Sequence, residues 1–162
     1  MKFDKLINLE AQTIKEFNEK QTEVTITKLL NDSYSHYDFE FTSGGTKDYG
    51  YLDQITGICE AKTRSYSSTK YNGGILIELA KFSNVLTCVA SEKDVFFNIN
   101  KTIKGFYLVK YTDKTFLFDL ETLDTSNIIF KKCPKHTASD GFNGYITKAI
   151  LLIPPEAAIL TY

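Results

Sequence analysis

The segment from Gly57 to Lys81, GICEAKTRSYSSTKYNGGILIELAK, decides how this chain is read. It opens on an apolar strand-like run, Gly57-Ile58-Cys59, and continues into Glu60-Ala61-Lys62-Thr63-Arg64. Side chains alternate along a strand, so Glu60, Lys62 and Arg64 share one face while Cys59, Ala61 and Thr63 share the other. Residues two apart on a strand sit roughly 6–7 Å apart at Cα, a spacing suited to a metal ion and a phosphate held between carboxylate and ammonium. Arg64, the only arginine in the chain, continues that face. A loop rich in Tyr and Ser follows, and then a new element from Gly74 that carries Glu78 and Lys81.

Upstream, residues 3 to 30 read as mainly helical. Phe3, Ile7, Ile14, Phe17 and Val24 fall near one stripe, interrupted by Glu10 and Gln21. Glu16, Glu19 and Glu23 recur at three- and four-residue steps along a helix side; a solvated acidic face is the simplest account of Glu16 and Glu19, whereas Glu23 precedes the apolar turn Val24, Ile26, Leu29 and Leu30. Thr22 to Thr27 also alternates like a strand and is rich in β-branched residues, but helix is the expectation taken here. Asn31-Asp32-Ser33 punctuates, and Tyr37 to Thr42 alternates cleanly, with Asp38, Glu40 and Thr42 on the polar face. After the turn cluster 43–48 the chain leads back toward Glu60. Residues 37 to 64 are therefore expected to form antiparallel strands that place Asp38 on the face of Glu60 and Lys62, with Asp53 the other candidate.

Downstream, residues 73 to 86 carry the apolar pattern of a buried helix, with Glu78 and Lys81 on one side. Strand character is expected for Leu86–Ala90 and Val95–Asn98. The clearest hairpin spans Gly105 to Leu120, turning at Thr112-Asp113-Lys114. Residues 121 to 147 read as irregular apart from a short strand at Asn127–Phe130. Ala149–Ile153 is a last buried strand, stopped by Pro154-Pro155.

A chain of 162 residues is most simply one domain with a real core. A net charge of −1 excludes a global field that draws the protein onto nucleic acid or acidic membrane, so such binding needs a local patch. Three cysteines at unpatterned spacings point to reduced thiols and a cytoplasmic setting rather than a disulfide framework. No signal peptide or membrane span is read from the chain.

Among candidate sites, Glu23, Asp38 and Glu60 with Lys62 make a set suited to a hard metal ion and phosphate chemistry. The competing account is an exposed charged strand face. Cys133-Pro134-Lys135-His136 has half of a zinc-like spacing and no second half. The glycine pairs at 44–45 and 73–74 lack nucleotide-binding contexts, and serine-hydrolase signatures are absent. His36 reads as structural. Tyr66 and Tyr71 flank Lys70 and are suited to stacking on bases.

With these residues in view, the chain resembles the PD-(D/E)xK nuclease-like superfamily in its small phage and bacterial form. That pattern is an N-terminal helix with a Glu, a strand with an Asp, a strand with ExK, then a helix with a polar or basic residue. Glu23, Asp38, Glu60-Ala61-Lys62 and Lys81 fill those slots in order, with the helix Glu open among Glu16, Glu19 and Glu23. Tyr37 stands where a Pro often precedes the Asp. The resemblance implies an α/β fold: a mixed central sheet flanked by helices in a restriction-endonuclease-like core over about residues 15 to 100, with a β-rich C-terminal extension over 101 to 162. It further implies Mg²⁺- or Mn²⁺-dependent cleavage of DNA phosphodiesters, of the kind used in phage or mobile-element DNA processing. Asp38 and Glu60 would bind metal, Glu23 would assist, and Lys62 would contact the phosphate. Arg64, Lys70, Tyr71 and Lys81 would contact nucleic acid. The rival function is a catalytically inactive nuclease-like fold acting as a nucleic-acid- or protein-binding accessory or inhibitor. Its partner surface would lie in the β-rich C-terminal region, and a homodimer is compatible with either reading.

Overall fold

The computed structural model describes residues 2–20, 24–29, 39–40, 55–70, 74–95, 102–135 and 144–162. The described residues form an α/β fold with two helices and two sheets. Helix α1 spans Lys2–Lys20, followed by β1 (Val24–Leu29), β2 (Phe39–Glu40) and β3 (Ile55–Thr63). Next come β4 (Ile75–Glu78), α2 (Leu79–Val95), β5 (Thr102–Lys110) and β6 (Thr115–Asp119). The chain closes with β7 (Ile128–Pro134), β8 (Tyr145–Ile153), a 3₁₀ turn at Pro155–Ala157 and β9 (Leu160–Thr161). The larger sheet has the order β2-β1-β3-β5-β6-β9 and the smaller one β4-β8-β7.

Three expectations upstream of Gly105 are corrected, and downstream the stretch 121–147 read as irregular holds β7 through Pro134 and the start of β8 at Tyr145, with β9 following the strand expected to be last. The helix expected over 3–30 ends at Lys20, and the β-branched run Val24-Thr25-Ile26-Thr27 forms a strand, as its alternation had hinted. The Asn18 side chain fixes the reversal. Its amide donates to Ile26 O and its Oδ1 accepts from Ile26 N, both at 2.9 Å. These bonds occupy backbone groups of β1 where its register with β3 shifts, between Ile26 and Lys28.

Second, β3 does not lie antiparallel beside β2. Both pair with β1, β2 antiparallel and β3 parallel, and β3 then pairs parallel with β5. Third, Ile75–Glu78 is a strand and the helix begins only at Leu79, running through Val95 across the Leu86–Ala90 segment expected as strand. Short apolar runs do not separate a buried strand from a buried helix by periodicity, and tertiary pairing with β8 decides here. The 105–120 hairpin forms as expected, β5 and β6 pairing from Phe106↔Asp119 to Lys110↔Thr115.

Alternation sorts β3 and β5 between two cores. Cys59, Ala61, Phe106 and Leu108 pack with Ile14 and Phe17 of α1 and with Leu117. Ile58, Tyr107 and Val109 pack on the other face with Phe82, Val85 and Val89 of α2 and with Ile75, Ile77, Leu151 and Ile153 of the small sheet. The large sheet is thus sandwiched between α1 and a layer made of α2 and the small sheet. Gly105 lets α2 approach closely, because a Cβ there would stand 2.9 Å from Val85 Cγ1 and 3.2 Å from Val89 Cγ2. No helix among the described residues is long and apolar enough to cross a membrane.

Candidate functional site

The distal half of β3 carries the charges singled out in the sequence, and the helices decide where they go. Glu60 lies on the α2 side and is only 1% exposed, and Lys81 from the first turns of α2 is 6% exposed. Lys81 Nζ donates to Glu60 Oε1 at 3.0 Å. Lys62 Nζ stands 3.5 Å from the same oxygen and donates to Glu10 Oε1 at 3.1 Å. Glu10 comes from α1, on the opposite face of the sheet, and is 5% exposed. The described register of β1 with β3 ends at Leu29↔Cys59, three residues before Lys62. The four-carbon Lys62 stem carries its ammonium across to α1. One turn further along α1, the Thr13 and Thr63 hydroxyls are hydrogen-bonded at 3.1 Å, which fixes α1 against the end of β3.

The outcome is a buried chain of alternating sign, Glu10, Lys62, Glu60 and Lys81, drawn from α1, β3 and α2. Burial pushes the Glu60 carboxyl up to about 7, against the pull of Lys81 and Lys62. Burial also works against the Lys62 ammonium, but Glu60 and Glu10 outweigh it and hold it above the ordinary lysine range. An isolated pair of this kind contributes little net stability, because desolvation offsets the Coulomb attraction. Strongly perturbed titratable groups gathered at the carboxyl end of parallel strands are typical of functional sites. The neighbouring Cys59 thiol is fully buried and pushed up by that burial, so it stays protonated and is no nucleophile.

Each expected site residue has its own outcome. Glu60, Lys62 and Lys81 come together. Asp38, Glu23 and Tyr71, with the alternative Asp53, lie outside the described residues. Glu16 pairs at the surface with Lys110, and Glu19 is exposed. Arg64, on the same strand face, is packed among Tyr66, Tyr107 and Tyr111. Its guanidinium hydrogen-bonds Tyr107, while its buried Nε has no partner among the described residues. Tyr107 in turn donates to Leu76 O at 3.0 Å, so Arg64 ties β3 to the start of the small sheet. Lys70 stands 4.6 Å over the Tyr66 ring, on a loop held by Asp113, which accepts from the Ser67 and Ser68 hydroxyls and the Ser68 N–H.

Glu10 is the residue that sequence reasoning missed. Its signal was present: a carboxylate three residues after Ile7 and four before Ile14, on the stripe that faces the core. A charge on that stripe must find a buried partner, and Lys62 is that partner.

Two buried carboxylates that share one ammonium offer oxygen donors of the type a hard divalent ion takes. Among the described residues no group of three or more His, Cys, Asp or Glu is assembled for a metal. No family model matches the chain, and no similar curated protein or solved structure was found.

Proposed function

We propose that this chain is a metal-dependent nuclease of the PD-(D/E)xK type that hydrolyses phosphodiester bonds of DNA. The observation that carries this reading is the buried Glu10–Lys62–Glu60–Lys81 chain. Its order along the sequence runs helix Glu, ExK strand, helix Lys, the order of the family pattern, with Glu10 in the slot that had been open among later glutamates. The mixed sheet between helices is consistent with that pattern.

On this reading Glu10 and Glu60 would hold the metal, with Asp38 or Asp53 as the further carboxylate expected from the sequence. A bound Mg²⁺ or Mn²⁺ would supply Lewis acidity and lower the pKa of an attacking water. Lys62 does the chain's own electrostatic work. Held between two carboxylates, its ammonium stays charged and would stabilise the charge that develops on a phosphate oxygen. Lys81 donates to Glu60, so on this reading it acts as a positioning residue that keeps the carboxylate fixed in a buried setting.

The test combines calorimetry with Mg²⁺ or Mn²⁺ and cleavage of plasmid, flapped and branched DNA. Wild type is expected to bind metal and cut. Glu60→Gln is expected to lose metal binding, and Lys62→Ala to lose at least about 100-fold in cleavage with metal binding retained, the usual loss for one transition-state donor. Wild-type inactivity on every substrate, or normal cutting by Lys62→Ala, would overturn the nuclease reading and favour an accessory module.

A further inference from the structure

The small sheet ends in a projecting arm. β4 pairs with β8 only over Ile75–Glu78 against Ile150–Ile153, whereas β7 pairs with β8 along its whole length to Pro134↔Tyr145. Residues 145 to 149 of β8 and their β7 partners therefore form a two-stranded ribbon beyond the C-terminal end of β4. At five residues it is roughly 17 Å long. Lys148 clamps its base, pairing with Glu78 at 3.0 Å, and Glu78 lies three residues before Lys81. The arm thus springs from the start of the helix that serves the buried charge chain.

Its composition is locally basic. Residues 125–135 and 144–155 contain four lysines, at 131, 132, 135 and 148, and no Asp or Glu, in a chain whose net charge is −1. Paired residues share a face, so the register puts Phe130, Lys132 and Tyr145 on one side of the ribbon. Phe130 is 77% exposed and Tyr145 63% exposed, roughly 13 Å apart along the ribbon with Lys132 between them. Lysines on an edge strand are commonly explained as protection against edge-to-edge aggregation. That account does not cover the exposed aromatic rings, which work against it.

We infer that the β7–β8 ribbon is a binding arm for single-stranded nucleic acid, with Lys132 and Lys135 neutralising phosphates and Phe130 and Tyr145 stacking on unpaired bases. Aromatic platforms interleaved with cations suit unstacked bases, whereas a blunt duplex offers the rings no face. The arm deepens the nuclease reading by naming its substrate class, DNA with an unpaired segment, and it is testable without catalysis.

The experiment is fluorescence anisotropy in EDTA with a labelled oligothymidylate and a blunt duplex of the same length, over a range of salt. Wild type is expected to prefer the single strand. Phe130→Ser should weaken oligothymidylate binding about 10-fold and leave the salt slope unchanged. Lys132→Gln with Lys135→Gln should reduce the slope of log K against log salt by about 1.4, at about 0.7 per phosphate contact. All of these positions are exposed or half-exposed, and circular dichroism checks that each variant folds. Wild type that ignores oligothymidylate, or variants that bind it as wild type does, would overturn the inference. So would a Phe130→Ser protein that binds normally but loses self-association in sedimentation, since the rings would then form a protein contact. Ribbon-dependent binding without metal-dependent cutting would sink the nuclease reading alone, and cutting without ribbon dependence would sink the arm alone.

Discussion

Replacing Lys81 by Met tests the buried charge chain most directly. The side chains are of similar length, so the change removes the ammonium and little packing. Glu60 is 1% exposed and loses its nearer cation, at 3.0 Å, keeping only Lys62 at 3.5 Å. Breaking a buried pair from one side costs about 3–5 kcal/mol while the remaining charge is ionised. Protonation relieves that cost, so the effect depends on pH. Glu60 in the folded protein sits at about 7 against an ordinary 4.5. The folded state therefore holds an extra proton between those values, and stability falls as pH rises through the window. For wild type that fall is of the order of 3 kcal/mol from this one group. Without Lys81 the carboxyl moves higher still and the fall steepens. Urea unfolding at pH 5 and pH 8 should show Lys81→Met destabilised by about 3–5 kcal/mol at pH 8 and by about 1 kcal/mol or less at pH 5. In a Glu60→Gln background the same substitution should lose its pH dependence. Equal destabilisation of Lys81→Met at both pH values would refute the reasoning, because it would mean that Glu60 is not the group that Lys81 serves.

Other substitutions probe separate joints of the molecule. Glu10→Gln should lower metal-dependent cleavage at least about 100-fold while Glu16→Gln leaves it unchanged, since Glu10 reaches Lys62 whereas Glu16 pairs with Lys110; steady-state cleavage rates decide it. Asn18→Ala strips the partners from both backbone groups of Ile26 and should cost about 2–3 kcal/mol in denaturant unfolding. Gly105→Ala drives a methyl group to within 2.9 Å of Val85 and should cost about 1–3 kcal/mol, with Val85→Ala recovering part of it in the double variant.

The sequence by itself determined the elements whose physics is local. Alternation along β3 assigned Cys59 and Ala61 to one core and Glu60 to the other face, because a strand's period of two leaves no choice once the strand exists. The hairpin of β5 and β6 was legible for the same reason, with two aromatic, β-prone runs around a polar turn. Glu60 and Lys62 were legible together because residues two apart on a strand share a face, while Lys81 joined them only through the resemblance. Only the tertiary structure decided the rest. Val24–Leu29 became a strand because β3 was there to pair with it, and Ile75–Glu78 did so because β8 was. Arg64 became a tyrosine-held tie rather than an open cation, since Tyr107 and Tyr111, more than forty positions along the chain, close on it with Tyr66. Glu10 entered the site from fifty-two positions away, and no local pattern specifies which buried ammonium a carboxylate on a helix's core stripe will meet. That choice belongs to packing, because the partner of a buried charge is fixed by which elements the two cores press together.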